Sequence, residues 1–318
     1  MKLILNHTKN SSMKIFAVVV IYNGMKNNWI HKCFSSLLQS SIPVEIVAVD
    51  NLSTDKSVEY IRNNFPSVTL IENIQNLGFG GANNLGLKSA LKQGGEFFFL
   101  LNQDAYVETN TIEKLINTSL QHPEYAVISP IHLNSNGTKL DKSFAKSVSP
   151  YYCEGFYDDY VLSNTKKTIY ESPFICAAAW LLTAKALEVI GGFSPAFFHY
   201  GEDDNYCHRI QYFKMKIGVV PDTYIYHDRE DRAPGIYDDR LATIQRQQIL
   251  WCSNPNNPIS IEKTIKQYRN KTIKYLLKVD FKEANINKKI ASFLKNKRPL
   301  IEGSFSESVS DKTYKFIY

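Results

Sequence analysis

Cysteine is sparse in this sequence, and its placement argues against a fold built on cross-links. Five cysteines are scattered along 318 residues, and no two of them form a Cys-x-x-Cys pair. An odd number of separated thiols disfavours a disulfide framework or a structural zinc cluster and indicates a reducing compartment. With 44% hydrophobic residues, the chain is long enough to be held together by its own core.

Long apolar runs are also missing. No stretch reaches the roughly 18 apolar residues that a membrane-spanning helix needs. The apolar run at the N-terminus is too short for a signal peptide, so residues 1–12 are expected to be a lead-in to the first strand. The expected location is the cytoplasm, either in solution or against the inner face of the membrane.

Positive charge is concentrated in one late segment. Residues 261–300 carry twelve Lys and Arg against three acids, a net charge of +9 in a chain whose total is +6. Two interpretations stay open: a solvated face of basic helices, or a peripheral contact with an anionic membrane. No nucleic-acid-binding module accompanies this charge, so a nucleic-acid partner is not expected. The pattern predicts no particular oligomeric state.

Short apolar runs alternate with amphipathic segments over the first part of the chain. The run Ile15–Ile21 is continuously apolar and rich in β-branched residues, as in a strand buried on both faces. This alternation predicts an α/β fold with a central, mostly parallel sheet flanked by helices. Strands are predicted at residues 15–21, 45–49, 68–72, 97–101, 125–131 and 216–220. Helices are predicted at 29–40, 78–93, 109–121 and 202–212, and a further helix after the second strand ends at about residue 64.

Two segments depart from this alternation. Residues 134–170 are polar and contain several tyrosines, which indicates an insertion or flap. From about residue 245 the sequence becomes helical and basic, and Pro255 and Pro258 mark a boundary. We therefore expect an α/β domain over residues 13–250 and a basic helical extension over residues 251–318.

Polar or glycine-containing loops follow four of the predicted strands. Ligands of open parallel sheets bind at the carboxyl ends of the strands, so these loops predict one ligand cleft. Asp50 is suited to accept hydrogen bonds from a nucleoside, or simply to cap a turn. Glycines at a helix start let the backbone approach an anion. The loop residues are Tyr22 and Asn23, Asp50 and Asn51, Asn76, Gly78 and Gly80, and Asn102, Gln103 and Asp104.

Acidic residues supply the candidate chemistry. Asp104 ends a strand where a carboxylate could bind Mg²⁺ or Mn²⁺, although a plain strand-end aspartate looks the same. Glu202, Asp203 and Asp204 are consecutive, which suits either a helix N-terminus or a general base whose pKa is raised by its neighbours. His227 is either a metal ligand or a buried structural histidine.

Taken in order, these motifs resemble glycosyltransferase family 2 with the GT-A fold, especially its rhamnosyltransferase-like bacterial branch. The resemblance covers about residues 14–232. It includes Val20-Ile21-Tyr22-Asn23, the stretch from Val49 to Asp55, the stretch from Asn76 to Asn84, Leu101-Asn102-Gln103-Asp104, Gly191-Gly192-Phe193, the stretch from Gly201 to Arg209, and His227.

The resemblance implies that the two halves of the α/β domain have different roles. Residues 13–131 would be the nucleotide-binding half and residues 172–250 the acceptor-binding and catalytic half. Tyr22, Asn23, Asp50, Asn51, Asn76, Gly78 and Asn102 would bind the nucleotide, Asp104 and His227 the divalent cation. Asp203 would be the general base beside Glu202, and Trp180, Gly192 and Asp204 would lie on the acceptor side.

Two positions depart from the family pattern. The first aspartate of the metal motif is replaced by Asn102, which weakens the electrostatic attraction for a cation. The last aspartate of the Glu-Asp-x-Asp motif is replaced by Asn205, which leaves Asp204 as a rival for part of the role of Asp203.

The implied activity is an inverting, metal-dependent transfer of a hexosyl or deoxyhexosyl group, such as rhamnosyl. The donor would be a UDP- or dTDP-sugar, and the acceptor a hydroxyl of a saccharide or lipid-linked saccharide in surface polysaccharide synthesis. The alternative is a non-catalytic subunit that binds a nucleotide sugar, against which the retained Glu202, Asp203 and His227 argue. A dinucleotide-dependent oxidoreductase needs a glycine-rich turn after the first strand, where only Gly24 is found.

Overall fold

A computed structural model of the protein describes residues 13–229 and 239–317. The predicted lead-in, residues 1–12, lies outside the described residues. Within the described ranges, nine strands form one sheet. They are β1 (Ile15–Ile21), β2 (Glu45–Asp50), β3 (Thr69–Glu72), β4 (Phe97–Leu101), β5 (Ala105–Val107), β6 (Tyr125–Asn134), β7 (Tyr170–Glu171), β8 (Ala179–Thr183) and β9 (Lys216–His227).

Helices cover both faces of the sheet and follow it toward the C-terminus. In the described residues they are α1 (Trp29–Leu38), α2 (Ser57–Asn64), α3 (Gly78–Lys92), α4 (Thr111–Gln121), α5 (Lys142–Ser147), α6 (Phe156–Val161), α7 (Ala184–Ile190), α8 (Glu202–Tyr212), α9 (Arg240–Cys252), α10 (Ile261–Leu277) and α11 (Phe281–Ser308). None of the helices in the described ranges is long and apolar enough to cross a membrane.

The first four predicted strands pair in parallel, in the order β3-β2-β1-β4. The apolar side chains of β1, β2 and β4 are buried on both faces, as the continuous runs predict, whereas edge strand β3 is partly exposed. On one face α3 packs so closely that a Cβ on Gly86 would lie 2.3 Å from the Val18 side chain. The register pairs Ile21 with Asp50, which brings the ends of β1 and β2 together.

The second half of the sheet is mixed. β8 runs antiparallel to both β4 and β6, whereas β9 runs parallel to β6 and antiparallel to β5 and β7. This architecture, with a helical segment at its end, confirms the predicted α/β class.

The strand predicted at residues 216–220 is longer in the structure, because β9 continues past Pro221 to His227. Proline lacks the amide donor of a regular ladder and is tolerated at bulges. The pairing with β6 skips here, from Ser129 opposite Val219 to Ile131 opposite Tyr224, so Pro221 lies in an irregular stretch. The continuation delivers His227 to a position beside Ala105 on β5, a short strand that the sequence did not predict.

The segment 134–170, predicted to be an insertion or flap, is packed against the domain. It contains α5 and α6 and buries Phe144, Phe156 and Tyr170 in the largest hydrophobic cluster. Asp141 caps α5 by accepting from the backbone N–H groups of Ser143 and Phe144. The polar composition therefore reflects its outer surface, while its aromatic residues join the core.

The last three helices share a hydrophobic cluster with the segment that precedes α8. Phe197 packs with Ile249 of α9, Ile265 of α10 and Leu294 of α11. The chain then returns to the α/β domain, where Ile317 joins the main core and the backbone oxygen of Lys315 accepts from the N–H of Gly192 at 2.7 Å.

Arg209 on α8 contacts both the loop around Gly192 and the C-terminal segment that packs on it. Its fully buried guanidinium donates to the carbonyl oxygens of Ile190 and Gly192 and to Asn205 Oδ1. The cation also lies over the rings of Tyr206 and Phe316, 4.7 and 5.2 Å from their centroids. A buried cation is stable only when it is satisfied in this manner.

Arg209→Gln should lower the free energy of unfolding by about 3 kcal/mol, because buried carbonyl oxygens lose a charged donor. Urea denaturation measures this loss. The matched control is Arg269→Gln on the exposed face of α10, for which a change under about 0.5 kcal/mol is expected. Equal effects of the two substitutions would contradict the role of Arg209.

Candidate active site

Asp50 lies at the carboxyl end of β2 with one oxygen unused. The side chain is buried, with 4% exposed, and its Oδ2 accepts from the N–H of Ser53 at 3.1 Å. Its Oδ1 is also buried and has no hydrogen-bond partner among the described residues. An unpaired buried carboxylate oxygen is costly, so this atom is suited to accept a donor from a ligand.

The loop after β1 is tied to its neighbours by backbone hydrogen bonds. Tyr22 donates its N–H to Gln103 Oε1 and accepts from Gln103 Nε2 through its carbonyl, both at 3.0 Å. Asn23 adopts a positive φ of 50°, and its Oδ1 accepts from the N–H of Thr54 at 2.8 Å. The Tyr22 side chain remains half exposed beside these loops.

Asn51 and Asn76 shape the loop before α3. Asn51 is buried, donates to Asn76 Oδ1 at 2.9 Å, and accepts from the N–H of Leu77 at 2.8 Å. Asn76 Oδ1 also accepts from the N–H of Gly78 at 2.9 Å. Both side chains therefore position the loop, and their direct contact with a nucleotide stays a prediction.

Gly78 joins the two halves of the domain. It has φ of 72°, and a Cβ at this position would lie 1.8 Å from the backbone oxygen of Phe198. The N–H of Phe79 donates to that same oxygen at 3.3 Å. Only glycine permits this approach, which brings the start of α3 against the segment that precedes Glu202.

The two predicted metal ligands meet at the ends of β4 and β9. His227 Nε2 lies 3.3 Å from Asp104 Oδ1 and 3.5 Å from Asn102 Nδ2. Asn102 Oδ1 is buried and unpaired within the described part of the chain. These oxygen and nitrogen atoms fit a hard divalent cation. No group of three or more His, Cys, Asp and Glu suited to a metal is found among the described residues, so metal binding by Asp104 and His227 stays a prediction.

Asp141 and Arg229 support His227 from behind, and sequence reasoning missed both roles. Asp141 Oδ2 lies 3.5 Å from His227 Nδ1 and accepts from Arg229 Nε at 2.7 Å. Burial lowers the pKa of His227, but contacts with Asp104 and Asp141 outweigh it and raise the pKa. Burial likewise opposes ionisation of Asp141, but His227 and Arg229 hold its pKa well below its usual range.

Three consecutive acids begin α8. Burial, together with the neighbouring Asp203, raises the pKa of Glu202 to about 8, and Glu202 Oε2 has no partner among the described residues. Burial and then the charge of Asp204 raise the pKa of Asp203 to about 6. Burial also raises the pKa of Asp204, against the nearby cation of Arg246. This cluster therefore differs from an exposed acidic helix start.

The backbone segment 176–178 lies between Asp203 of α8 and Asn102 at the end of β4. The N–H of Ala177 lies close enough to the Asp203 carboxylate to favour its charged form, and the carbonyl of Ala178 accepts from the N–H of Asn102 at 2.9 Å. Cys176 Sγ lies 3.6 Å from Nδ1 of His132, a buried histidine whose pKa burial and the charge of His227 lower to about 3. Ala177 and Ala178 thus stand between Asp203 and Asn102, in a tight turn in which the N–H of Ala178 donates to the carbonyl of Cys176 at 2.8 Å.

Two residues predicted to line the acceptor side are placed differently. Trp180 is completely buried and packs against Phe193 and Tyr206, with centroids 6.0 and 5.4 Å apart. Gly192 is also buried, and a Cβ there would lie 2.3 Å from Asn84 Oδ1. Both lie in the core, because β8 is buried on both faces and the loop at Gly192 is packed against α3. Their contact with an acceptor stays a prediction.

Comparison with known proteins gives one family match. The model of the family described as Glycosyl transferase family 2 matches residues 16–191, more than half of the chain. The chain is 24% identical over 201 residues to the Low-salt glycan biosynthesis hexosyltransferase Agl10 of Haloferax volcanii, covering 63% of each protein. It is 22% identical over 219 residues to the dTDP-rhamnosyl transferase RfbF of Shigella flexneri, covering 69% of this chain and 70% of the relative.

Among solved structures, the chain is similar to the crystal structure of GalNAc-T7 with UDP, GalNAc and Mn²⁺. The TM-score is 0.59 at 16% identity, covering 90% of this chain and 55% of that one. At this identity the likeness concerns the fold, and it confirms the GT-A architecture. The chain spans less than two thirds of the length of the Haloferax hexosyltransferase.

The raised pKa of Asp203 should make folding stability depend on pH. Its folded pKa, about 6, exceeds the ordinary value of 3.8, so stability is lost as the pH rises through this window. Asp203→Asn removes that loss and should raise the free energy of unfolding by about 1–2 kcal/mol at pH 7. Near pH 4 the substitution should have little effect.

Urea denaturation at both pH values measures this difference. Asp158→Asn, at an exposed acid in the first turn of α6, serves as the control and should shift stability by less than about 0.5 kcal/mol. The same change for Asp203→Asn at both pH values would show that its carboxyl is not perturbed.

Proposed function

Since the chain belongs to glycosyl transferase family 2, we propose that it is an inverting, metal-dependent glycosyltransferase. It transfers a hexosyl or deoxyhexosyl group, such as rhamnosyl, from a UDP- or dTDP-sugar to a hydroxyl of a saccharide or lipid-linked saccharide. The observation that carries this proposal is the turn at residues 176–178, which lies between the Asp203 carboxylate and the backbone of Asn102, a residue that lies beside His227 and Asp104. A general base beside a diphosphate-binding cation is what this reaction requires.

The donor nucleoside binds at the ends of β1 and β2. The unpaired Asp50 Oδ1 accepts the ring N–H of a pyrimidine, and the half-exposed Tyr22 ring covers the base. Uracil and thymine present the same ring N–H, which is why both UDP- and dTDP-sugars remain candidates. The words dTDP-rhamnosyl in the name of the Shigella relative and UDP in that of the GalNAc-T7 structure are consistent with this range.

Asp104 and His227 would hold a divalent cation, Mg²⁺ or Mn²⁺, with Asn102 Oδ1 beside it. When bound, the cation supplies positive charge that stabilises the departing nucleoside diphosphate. Asp141 and Arg229 keep the imidazole of His227 oriented through its second nitrogen.

Asp203 removes the proton from the acceptor hydroxyl. Its pKa near 6 leaves it ionised at neutral pH and basic enough to accept a proton. Glu202, with a pKa near 8, stays protonated and adds no competing negative charge. The deprotonated oxygen attacks the anomeric carbon as the bond to the diphosphate breaks, and a single displacement inverts that carbon.

Asp203→Asn should reduce sugar transfer by about 10²–10⁴-fold, because the amide cannot accept the proton. Binding of UDP or dTDP, followed by calorimetry, should be unchanged. Wild-type kcat/KM should fall as the pH drops below about 6. The control Asp158→Asn, at an exposed acid of α6, should keep full activity. Full activity of the Asp203 variant would refute the assignment, and an inactive wild type with every donor tested would favour a non-catalytic binding subunit.

Asp141→Asn should weaken Mn²⁺ binding by about 10–100-fold, because the second nitrogen of His227 loses its carboxylate partner. Titration of Mn²⁺ in the presence of UDP, followed by calorimetry, measures this change. Asp158→Asn is the control and should leave the Mn²⁺ affinity as it is. Unaltered affinity in the Asp141 variant would show that this carboxylate does not support a metal ligand.

A further inference from the structure

Five large apolar side chains are exposed where α10 turns into α11. These residues, called here the hairpin tip, are between 47% and 82% exposed in the described structure. The surrounding helices bury their apolar residues in the cluster around Leu294, so the hairpin tip is distinct from that core. A concentration of exposed apolar groups marks an interaction surface. The members are Ile273, Leu276, Leu277, Val279 and Phe281.

Exposed lysines are interleaved with the hairpin tip, and the nearby acids are engaged elsewhere. Asp280 caps α11 by accepting from the N–H of Glu283 at 3.0 Å. Glu283 in turn accepts from Arg240 of α9 at 2.6 Å. The surface around the apolar residues is therefore positive. The lysines are Lys271, Lys274, Lys278 and Lys282.

Val279 carries a second, independent sign that the apolar surface matters. It has φ of 58°, a conformation that β-branched residues rarely adopt. Glycine or asparagine would form the same turn at lower cost. The side chain is 69% exposed, so packing within the protein does not explain its presence.

We propose that the hairpin tip docks on an anionic lipid bilayer. The apolar side chains enter the boundary between headgroups and acyl chains, and the four lysines contact acidic headgroups. Charge complementarity favours this occupant over a second copy of the chain, because two facing tips would bring their lysines together. Ile273, Leu276 and Leu277 lie at the end of α10, so they reach the surface together.

The hairpin tip is linked to the acidic end of the catalytic site. Arg240, which pairs with Glu283 near the tip, begins the helix that also carries Arg246. Six residues of helix place these two arginines about 9 Å apart along the axis. The Arg246 guanidinium lies 5.2 Å from the Tyr200 ring centroid and close enough to Asp204 to lower its pKa. Docking would therefore bring this end of the site toward the membrane.

Cosedimentation of the full chain with lipid vesicles tests the proposal without relying on the proposed sugar transfer. The chain should bind vesicles of phosphatidylcholine and phosphatidylglycerol, bind phosphatidylcholine alone weakly, and dissociate as salt is added. The double variant Leu277→Ser, Phe281→Ser should bind at least about tenfold more weakly. The double variant Lys274→Gln, Lys278→Gln should lose about fivefold for each lysine.

Matched controls replace exposed residues of the same types on the α/β domain. The double variants Leu38→Ser, Leu120→Ser and Lys32→Gln, Lys92→Gln should bind vesicles as the wild type does. Circular dichroism and UDP binding should be the same for all variants, so that a lost donor site is distinguished from lost docking. Any of three results would overturn the proposal. The wild-type protein could fail to bind acidic vesicles, the tip variants could bind them as the wild type does, or the wild type could self-associate in a way that the tip variants abolish.

Discussion

The short backbone segment 176–178 imposes the constraint on which the rest of the site depends. Its successive groups face opposite sides: the N–H of Ala177 lies close enough to the Asp203 carboxylate to favour its charged form, and the carbonyl of Ala178 accepts from the backbone N–H of Asn102. The antiparallel pairing of β8 with β4 then holds that segment beside the ends of the parallel strands. The mixed sheet thus places the carboxyl ends of the parallel strands near an acidic helix start.

In this part of the molecule, the pKa values of chemically similar carboxyl groups are shifted in opposite directions. Burial beside like charges raises the pKa values of Glu202 and Asp203, whereas Arg229 and His227 hold that of Asp141 low. Environments that push pKa values apart separate proton-accepting groups from permanently charged ones. This difference in pKa follows from where the carboxyl groups lie. Asp141 lies beside Arg229, whereas the acids at the start of α8 lie beside one another.

The sequence predicted the parts of this arrangement that depend on local pattern. Buried strands read as apolar runs, so the residues at their ends, such as Asp50 and Asp104, were identifiable, and the family resemblance is confirmed. Contacts between elements that are far apart in the sequence could not be predicted from it. Asp141 looked like one polar residue in a flap, and the bulge that carries the chain past Pro221 depends on pairing with β6. Trp180 and Gly192 matched motif positions whose side-chain environment only the packed core determines.

The contact between Gly78 and the carbonyl of Phe198 has a consequence for engineering donor or acceptor preference. The two halves of the α/β domain meet there through backbone atoms, with no space for a side chain. A chimaera that takes one half from a relative would therefore assemble only if its parent also has glycine at this position. Exchange of whole halves is restricted by this junction, whereas individual exposed side chains, such as that of Tyr22, remain open to substitution.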